Sequence, residues 1–207
     1  MNSDKVIGVI DHGVGNSISI LNLLRKIGIE TRKISNSDEF IQCSRSLSNL
    51  IIPGVGAFDA GIRALNRGGL VPRIKEFASR GGCILGICLG MQLLFDGSEE
   101  GELPGLGLIP GTLVAIKGTQ RFRVPHVGWT PIMPIREDKL LSGINRLTFY
   151  HNHSFALSSP NAFEIAKIEY SSEFSVVVRN QNVVGVQFHP EKSHSSGERL
   201  IKNFVFA

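Results

Sequence analysis

The sequence has few cysteines, little net charge and no long apolar run. Its 207 residues include three cysteines, and the formal net charge is +4. Cys43, Cys83 and Cys88 have neither paired nor metal-like spacing, which favours reduced thiols. Lysine and arginine are scattered, which argues against nucleic-acid binding. No segment approaches the roughly 20 apolar residues of a membrane span, and the first apolar segment is shorter than a signal-peptide core. We therefore expect a cytoplasmic protein that binds neither nucleic acid nor a membrane.

The chain also lacks a linker, an internal repeat and a low-complexity tract. Hydrophobic residues make up 42% of it, which is enough for a substantial core and excludes a disordered chain. We expect a single domain over residues 1–207.

The first half alternates segments that have the pattern of strands and of helices. The strand-like segments are Lys5 to Asp11, Ile29 to Ile34, Leu50 to Ile52 and Cys83 to Ile87. The helix-like segments are Asn16 to Ile27, a short one that opens at Ser37, Leu70 to Ser79 and Leu89 to Phe95. Strands separated by helices predict a parallel sheet covered on both faces.

The second half has shorter strand-like segments, several of them broken by prolines. They lie in Leu113 to Ile135, Leu147 to Phe155, Phe163 to Ile168, Ser175 to Val178 and Val183 to Phe188. A last helix is expected from about Gly197 to Phe206. The whole pattern predicts an α/β fold with a largely parallel sheet and a mixed or antiparallel extension.

Cys88 is the strongest candidate for a catalytic residue. It lies in Gly86-Ile87-Cys88-Leu89-Gly90-Met91-Gln92, between a predicted strand and a predicted helix. We expect such a position to expose a nucleophile on a sharp turn. There the helix N-terminus favours the thiolate and the Leu89 N–H can donate to an oxyanion. We interpret the glycines at 86 and 90 as positions where the backbone passes close to a bound substrate.

The segment His189-Pro190-Glu191 supplies a base and a carboxylate that can orient it. Together with a cysteine, these residues form a nucleophile–base–carboxylate set. The common alternative for Cys88 is a small buried hydrophobic residue, and the joint pattern favours catalysis. We interpret Cys83, inside a predicted strand, as a core residue.

Three segments end predicted strands and belong to one edge of the sheet. They are Asp11-His12-Gly13, Pro53-Gly54-Val55-Gly56 and Cys88. In open α/β sheets, ligands bind beyond the carboxyl ends of the strands. We therefore expect one crevice to bring the three segments together, with peptide N–H groups of the turn at residues 53–56 near the thiol.

We expect neither a cofactor nor a metal on this chain. Gly13-Val14-Gly15 and Gly54-Val55-Gly56 lack the third glycine of a dinucleotide loop, and no Gly-Lys-Ser/Thr follows. His151 and His153 share one face of a predicted strand, but no third ligand lies at a supportive spacing, and a catalytic zinc needs three. We interpret these histidines as structural or substrate-positioning residues.

The motifs around Cys88 and His189 resemble those of the class I glutamine amidotransferases. Among these, the chain is most similar to glutaminase subunits of imidazole glycerol phosphate synthase. The additional marks of that subfamily are Asp11-His12-Gly13-Val14-Gly15-Asn16, Pro53-Gly54-Val55-Gly56-Ala57-Phe58, Ser98-Glu99-Glu100-Gly101, Val124-Pro125-His126-Val127-Gly128-Trp129, His153-Ser154 and Phe188-His189-Pro190-Glu191-Lys192-Ser193.

The resemblance implies the class I glutamine amidotransferase fold, with a flavodoxin-like open sheet, and hydrolysis of glutamine to glutamate and ammonia without a cofactor. Cys88 would attack the carboxamide carbon, His189 would carry the proton to the leaving ammonia, and Glu191 would hold His189. We expect the oxyanion donors to be the Leu89 N–H and the peptide between Gly54 and Val55, which would rotate to present its N–H. The residues that would hold glutamine are Gly56, Gln92, Glu100, His153 and Ser154.

The resemblance also implies a heterodimer with a (β/α)₈-barrel cyclase subunit that uses the ammonia to make imidazole glycerol phosphate in histidine biosynthesis. Asn16, Trp129 and Lys192 would lie on the face that meets this partner. The chain has Thr130 where the subfamily usually has Asn, and His151-Asn152 where it usually has Phe-Val, so the identity of the partner stays open. One alternative is a paralogous glutaminase subunit that supplies ammonia to a surface-polysaccharide sugar amidotransferase system. The other is a stand-alone cysteine hydrolase or peptidase of similar fold.

Overall fold

A computed structural model of the chain describes residues 6–13 and 17–206. Its strands are β1 (Val6–Ile10), β2 (Thr31–Ile34), β3 (Leu47–Gly54), β4 (Cys83–Cys88), β5 (Gly97–Ser98), β6 (Thr112–Ala115), β7 (His126–Pro131), β8 (Met133–Pro134), β9 (Thr148–His153), β10 (Phe155–Ser158), β11 (Glu164–Glu169), β12 (Glu173–Asn180) and β13 (Val183–Val186). Its helices are α1 (Ser17–Lys26), α2 (Ser37–Cys43), α3 (Phe58–Arg67), α4 (Leu70–Ser79), α5 (Leu89–Leu93) and α6 (His194–Phe206), with short 3-10 turns at Lys139–Leu141 and Pro190–Lys192.

The main sheet begins with parallel strands in the order β2-β1-β3-β4-β13. This is the strand order of flavodoxin-like folds. It places the carboxyl ends of β1, β3 and β4 side by side, and Gly54 at the end of β3 pairs in register with Cys88 at the end of β4. The predicted parallel sheet is therefore confirmed, and its edge brings together the strand ends that the sequence marks.

The sheet continues beyond β13 as the predicted extension. β12 pairs antiparallel with β13, β10 and β11, and β10 leads on to β6 and β5. Separately, β7 and β9 form an antiparallel ribbon in which His126 lies opposite His153. The ribbon joins the edge of the sheet where His189 forms an isolated bridge with Tyr150.

The core lies on both faces of the sheet because side chains alternate along each strand. On β3, Ile51 packs into the cluster that includes Leu24 of α1 and Leu200 of α6, whereas Leu50 and Ile52 pack into the cluster on the other face. That second cluster contains the apolar side chains of α2, α3 and α4. The sheet is thus covered on both sides. Within the described residues, no helix is both long and apolar enough to cross a membrane.

The structure differs from the sequence predictions at several elements. α3 was not predicted, although Phe58, Ile62 and Leu65 recur at helical spacing and are buried against the sheet. The predicted strand from Leu147 to Phe155 is two strands, β9 and β10, because the chain turns at Ser154. The prediction that Cys83 is a core residue is wrong: it is the first residue of β4 and is exposed, since burial begins only at Ile84.

Candidate active site

Cys88 lies at the junction between β4 and α5, as its sequence motif predicts. Its backbone has φ 54° and ψ −111°, and it is the N-cap of α5. A positive φ is uncommon for a residue with a side chain, and such strain concentrates at functional sites. A sharp turn of this kind between a strand and a helix holds the nucleophile of many hydrolases.

The glycines that flank Cys88 pack backbone against backbone. A Cβ on Gly90 would lie 1.6 Å from the carbonyl oxygen of Ile52 in β3, and a Cβ on Gly86 would lie 2.6 Å from the Gly90 oxygen. The contacts are within the protein itself, so the interpretation that these glycines make room for a substrate is not supported. They let α5 approach the sheet closely enough to set the position of Cys88.

The sulfur of Cys88 is covered, with 5% of the residue exposed. Its neighbours are the Asn152 carbonyl oxygen of β9 and Nε2 of Gln187, each 3.9 Å from Sγ. The expectation of an exposed side chain is therefore wrong, because β9 and Gln187 lie over the turn. Gln187 is a site residue that the sequence analysis missed. The sequence feature that could have revealed Gln187 is a polar side chain within the apolar run Val183 to Phe188. In the structure Gln187 is completely buried.

His189 and Glu191 are joined by a hydrogen bond of 2.8 Å between Nδ1 and Oε1, and both side chains are almost completely buried. Burial lowers the pKa of His189, but the favourable interactions of the charged ring with Cys88 and Glu191 outweigh it and raise this pKa to about 10. Nδ1 is engaged by the carboxylate, while Nε2 is buried without a hydrogen bond to any described residue. The imidazolium form is therefore favoured, with Nε2 available for proton transfer.

The backbone around His189 fixes its ring. Its N–H donates to the Tyr150 carbonyl at 2.8 Å, and its own carbonyl accepts from the Ser193 hydroxyl at 2.6 Å. Ser193 in turn accepts from the Tyr150 N–H at 3.1 Å. The short turn after β13 is thus tied to β9.

The expected oxyanion donors lie next to Cys88. Leu89 is the first residue of α5, so its N–H belongs to the free donors at a helix start. Gly54 pairs with Cys88 across the sheet, and Val55 and Gly56 follow it as exposed residues, with a φ of 106° at Gly56. On the other side of the turn, His12 Nε2 donates to the Pro53 carbonyl at 3.0 Å. The ends of β1, β3 and β4 thus lie together, as expected.

The residues expected to bind glutamine fall into two groups. Gln92 and His153 both donate to the Phe155 carbonyl, at 3.1 and 3.0 Å, and Gln92 also donates to Gln187 Oε1 at 3.2 Å. Ser154 follows His153 and is half-buried. On the other side, Glu100 is exposed and accepts from the N–H of Phe58, two residues after Gly56. Gln92 and His153 thus meet at Phe155, Glu100 contacts the start of α3, and the contact of all these residues with glutamine stays a prediction.

The residues expected at a partner interface are exposed where they are described. Trp129 is 48% exposed, and its ring stacks on His194 with 5.1 Å between centroids. Lys192 lies 5.1 Å from the centre of the Tyr150 ring, which also contacts the edge of Trp129. Asn16 lies outside the described residues. The two described side chains therefore meet around Tyr150.

The other two cysteines lie away from this arrangement. Cys43 is half-buried at the end of α2 and donates to the Glu39 carbonyl at 3.1 Å, and burial raises the pKa of its thiol. Cys83 is at the opposite end of β4 from Cys88. Among the cysteines, Cys88 alone is placed beside a histidine–carboxylate pair.

His151 and His153 have a third histidine beside them. The β7–β9 ribbon places His126 against both, with one ring nitrogen of each residue within 4.8 Å of the others. The expectation that no third ligand is available is therefore wrong, because spacing along the chain does not reveal a pair across two strands.

Comparisons with known proteins identify relatives over nearly the whole chain. The family model "Glutamine amidotransferase class-I" matches residues 8–207. The chain is 41% identical over 203 residues to imidazole glycerol phosphate synthase subunit HisH 2 of Pseudomonas aeruginosa, covering 97% of this chain and 98% of the relative. It is 37% identical over 206 residues to the HisH subunit of Bdellovibrio bacteriovorus, with 96% and 98% covered.

Solved structures share the fold at lower sequence identity. A crystal structure described as a glutamine amidotransferase superposes with a TM-score of 0.73 at 18% identity, covering 97% of each chain. The PurLQS structure from Thermotoga maritima superposes with a TM-score of 0.70 at 18% identity, covering 98% of each chain. The likeness covers the parallel sheet and its extension together.

Proposed function

Since the chain belongs to the class I glutamine amidotransferase family, and within it to the HisH subunits, we propose that it hydrolyses glutamine with Cys88, His189 and Glu191 and delivers the ammonia to a (β/α)₈-barrel cyclase. Family membership makes the chain a glutamine amidotransferase subunit, and its relatives connect it with histidine biosynthesis. The observation that carries the proposal is the 2.8 Å bond between His189 and Glu191 next to a cysteine on a strained turn.

The proposed reaction begins with attack of the Cys88 thiolate on the carboxamide carbon of glutamine. The C–N bond breaks as His189 gives its proton to the leaving nitrogen, which departs as ammonia and leaves a thioester. Water, deprotonated by His189, then attacks the thioester and releases glutamate and the thiol. Glu191 holds the imidazole in orientation through Nδ1 and stabilises its charged form.

The proposed oxyanion site makes the reaction dependent on the turn after β3. The Leu89 N–H is one donor, and the Gly54–Val55 peptide is the second once it rotates. The loss of one such donor costs about 3 kcal/mol, or about a hundredfold in rate. We therefore expect the isolated chain to be a poor glutaminase that is activated when the loaded cyclase binds.

The path of ammonia is proposed to run past Trp129. Tyr150 lies between this exposed ring and the catalytic histidine, with centroid distances of 6.1 Å to Trp129 and 6.3 Å to His189. Val127 on β7 and Val55 on the turn after β3 are further exposed apolar residues. In this proposal Tyr150 separates the catalytic histidine from the exposed Trp129, and exposed apolar side chains suit a protein partner.

The experiment measures glutamate released from glutamine by the chain alone and with the candidate cyclase and its nucleotide substrate. We expect kcat to rise about a hundredfold in the complex and to be abolished in Cys88→Ala. Cys83→Ala is the matched control and should behave as the parent. Activity in Cys88→Ala would refute the triad, and equal kcat with and without the cyclase would refute the activation. Failure to associate with the cyclase would refute the partner.

A further inference from the structure

The histidine cluster of His126, His151 and His153 is buried beside the catalytic residues but has no part in the triad. Within residues 6–13 and 17–206 it is the one group of three or more histidine, cysteine or carboxylate side chains with the proximity of metal ligands. All three residues are at most 6% exposed. His126 comes from β7 and the other two from β9, so the cluster spans both strands of the ribbon.

The nitrogen positions agree with a common centre. His126 Nδ1 lies 3.2 Å from His153 Nε2, and His151 Nδ1 lies 3.3 Å from the same atom. Zinc–nitrogen bonds are about 2.0–2.1 Å long in tetrahedral sites, which places two ligand nitrogens about 3.3–3.4 Å apart. The ring nitrogens of His126 and His151 lie within 4.8 Å of each other, so these two rings would approach each other for all three nitrogens to bind one ion.

The outer hydrogen bonds point two of the histidines toward such a centre. His153 Nδ1 donates to the Phe155 carbonyl at 3.0 Å, which leaves a lone pair on Nε2. His126 Nε2 lies 2.8 Å from the Thr130 hydroxyl, so with Nε2 as donor its Nδ1 also carries a lone pair. Metal-bound histidines regularly make such bonds through the second ring nitrogen.

Hydrogen bonds among the three histidines cannot give every buried ring nitrogen a partner. The single lone pair of His153 Nε2 faces two neighbouring ring nitrogens and can accept one good hydrogen bond, so they compete for it. His151 Nε2 is also buried without a hydrogen-bond partner among the described residues. In either tautomer His151 keeps a buried nitrogen unpaired, and unsatisfied buried groups are rare enough to call for an explanation.

The surroundings keep the rings in the form that binds metals. Burial lowers the pKa of His153 to about 3 and that of His126 to about 4, and it lowers the pKa of His151 as well, so all three are neutral at pH 7. Tyr170 covers His126 with 4.1 Å between centroids, and Phe188 lies 5.7 Å from His151. Aromatic walls exclude water that would otherwise compete for the nitrogens.

We propose that His126, His151 and His153 bind one divalent transition-metal ion, with zinc as the expected metal. Three neutral imidazoles suit zinc, copper and nickel, whereas magnesium and calcium require oxygen ligands. The ion would hold β7 and β9 together. β9 contacts the active site at two points: the Asn152 carbonyl lies next to Cys88, and Tyr150 pairs with the backbone of His189.

The test uses the full chain without a purification tag, in the Cys88→Ala background so that the catalytic thiolate cannot bind metal. After treatment with a chelator, the protein is titrated with Zn²⁺ against a chromophoric chelator, and separately with Co²⁺ followed by visible absorption. We expect one ion per chain, a Co²⁺ spectrum of a site with low coordination number, and a higher Tm with Zn²⁺.

Variants locate the site. His151→Phe keeps an aromatic ring against Phe188 and should weaken zinc binding at least about 100-fold. Thr130→Val removes only the outer hydrogen bond of His126 and should weaken binding about tenfold or more. His194→Ala, which removes an exposed histidine outside the cluster, is the matched control and should bind as the parent does. Circular dichroism verifies that each variant is folded.

Several results would overturn the proposal. One is the absence of stoichiometric binding to the parent, in which case a water or a proton network accounts for the cluster. Another is equal affinity in the parent, His151→Phe and Thr130→Val. Zinc that binds the wild-type chain but not the Cys88→Ala chain would assign the metal to the thiolate instead. If His151→Phe does not fold, Thr130→Val and the stoichiometry of the parent still decide the question.

Discussion

The change Gly90→Ala tests whether the glycines beside Cys88 serve internal packing or the approach of substrate. Its Cβ would lie 1.6 Å from the Ile52 carbonyl oxygen, which belongs to the backbone of a central strand and cannot rotate away. α5 and β3 would have to separate. Overpacking of this kind lowers the free energy of unfolding by about 1–3 kcal/mol. Because the new methyl group would meet backbone, we expect a loss of about 3 kcal/mol for Gly90→Ala. For a chain of 207 residues, this corresponds to a fall in Tm of about 6–12 °C.

The measurement is thermal unfolding by calorimetry together with steady-state glutaminase kinetics in the activated complex. Because Cys88 is the N-cap of α5, its displacement relative to Gly54 should lower kcat as well as Tm. Gly97→Ala is the matched control, since a Cβ at Gly97 has nothing within 4 Å, and its effect should stay within about 0.5 kcal/mol. If Gly90→Ala melts like the parent and only raises KM, the glycine makes room for substrate and our packing argument is wrong.

The remaining predictions concern the side chains around the thiol. Glu191→Gln should lower kcat by up to about 10⁴-fold, because the carboxylate orients His189, and should raise KM much less. If steady-state assays show an effect on KM alone, Glu191 is a substrate-binding group and the triad assignment is wrong. Gln187→Met removes a donor beside Cys88 and a partner of Gln92, so kcat/KM should fall about fivefold, equivalent to about 1 kcal/mol; unchanged kinetics would mean that Gln187 is purely structural. The pKa of His189 is raised from 6.5 to about 10 in the folded chain, so its stabilising contribution is complete below pH 6.5 and is lost as the pH rises through 10. Urea unfolding across this range should show falling stability and a flatter profile for His189→Gln; equal profiles would contradict the assigned shift.

The sequence by itself predicted the features that depend on neighbouring residues. Helix α4 has the predicted bounds, Leu70–Ser79, because its apolar spacing and the following glycines act locally. The strand–turn–helix at Cys88 and the pair His189–Glu191 were also predictable, since each is contained within a few residues. The strand–helix alternation likewise indicated the parallel sheet, although α3 and the break between β9 and β10 were missed.

The tertiary structure decided what depends on register and on packing between distant segments. His126 meets His153 only because β7 and β9 pair antiparallel in one particular register. Gln187 reaches Cys88 because β13 lies beside β4, and Gly90 is required because α5 lies directly on β3. Cys83 and Cys88 sit in one apolar run, yet the sheet exposes the first and buries the second. Such contacts join residues that are far apart in the chain, so no local sequence pattern predicts them. The physical reason is that they depend on which strands pair, in which register, and on how closely the helices pack against the sheet.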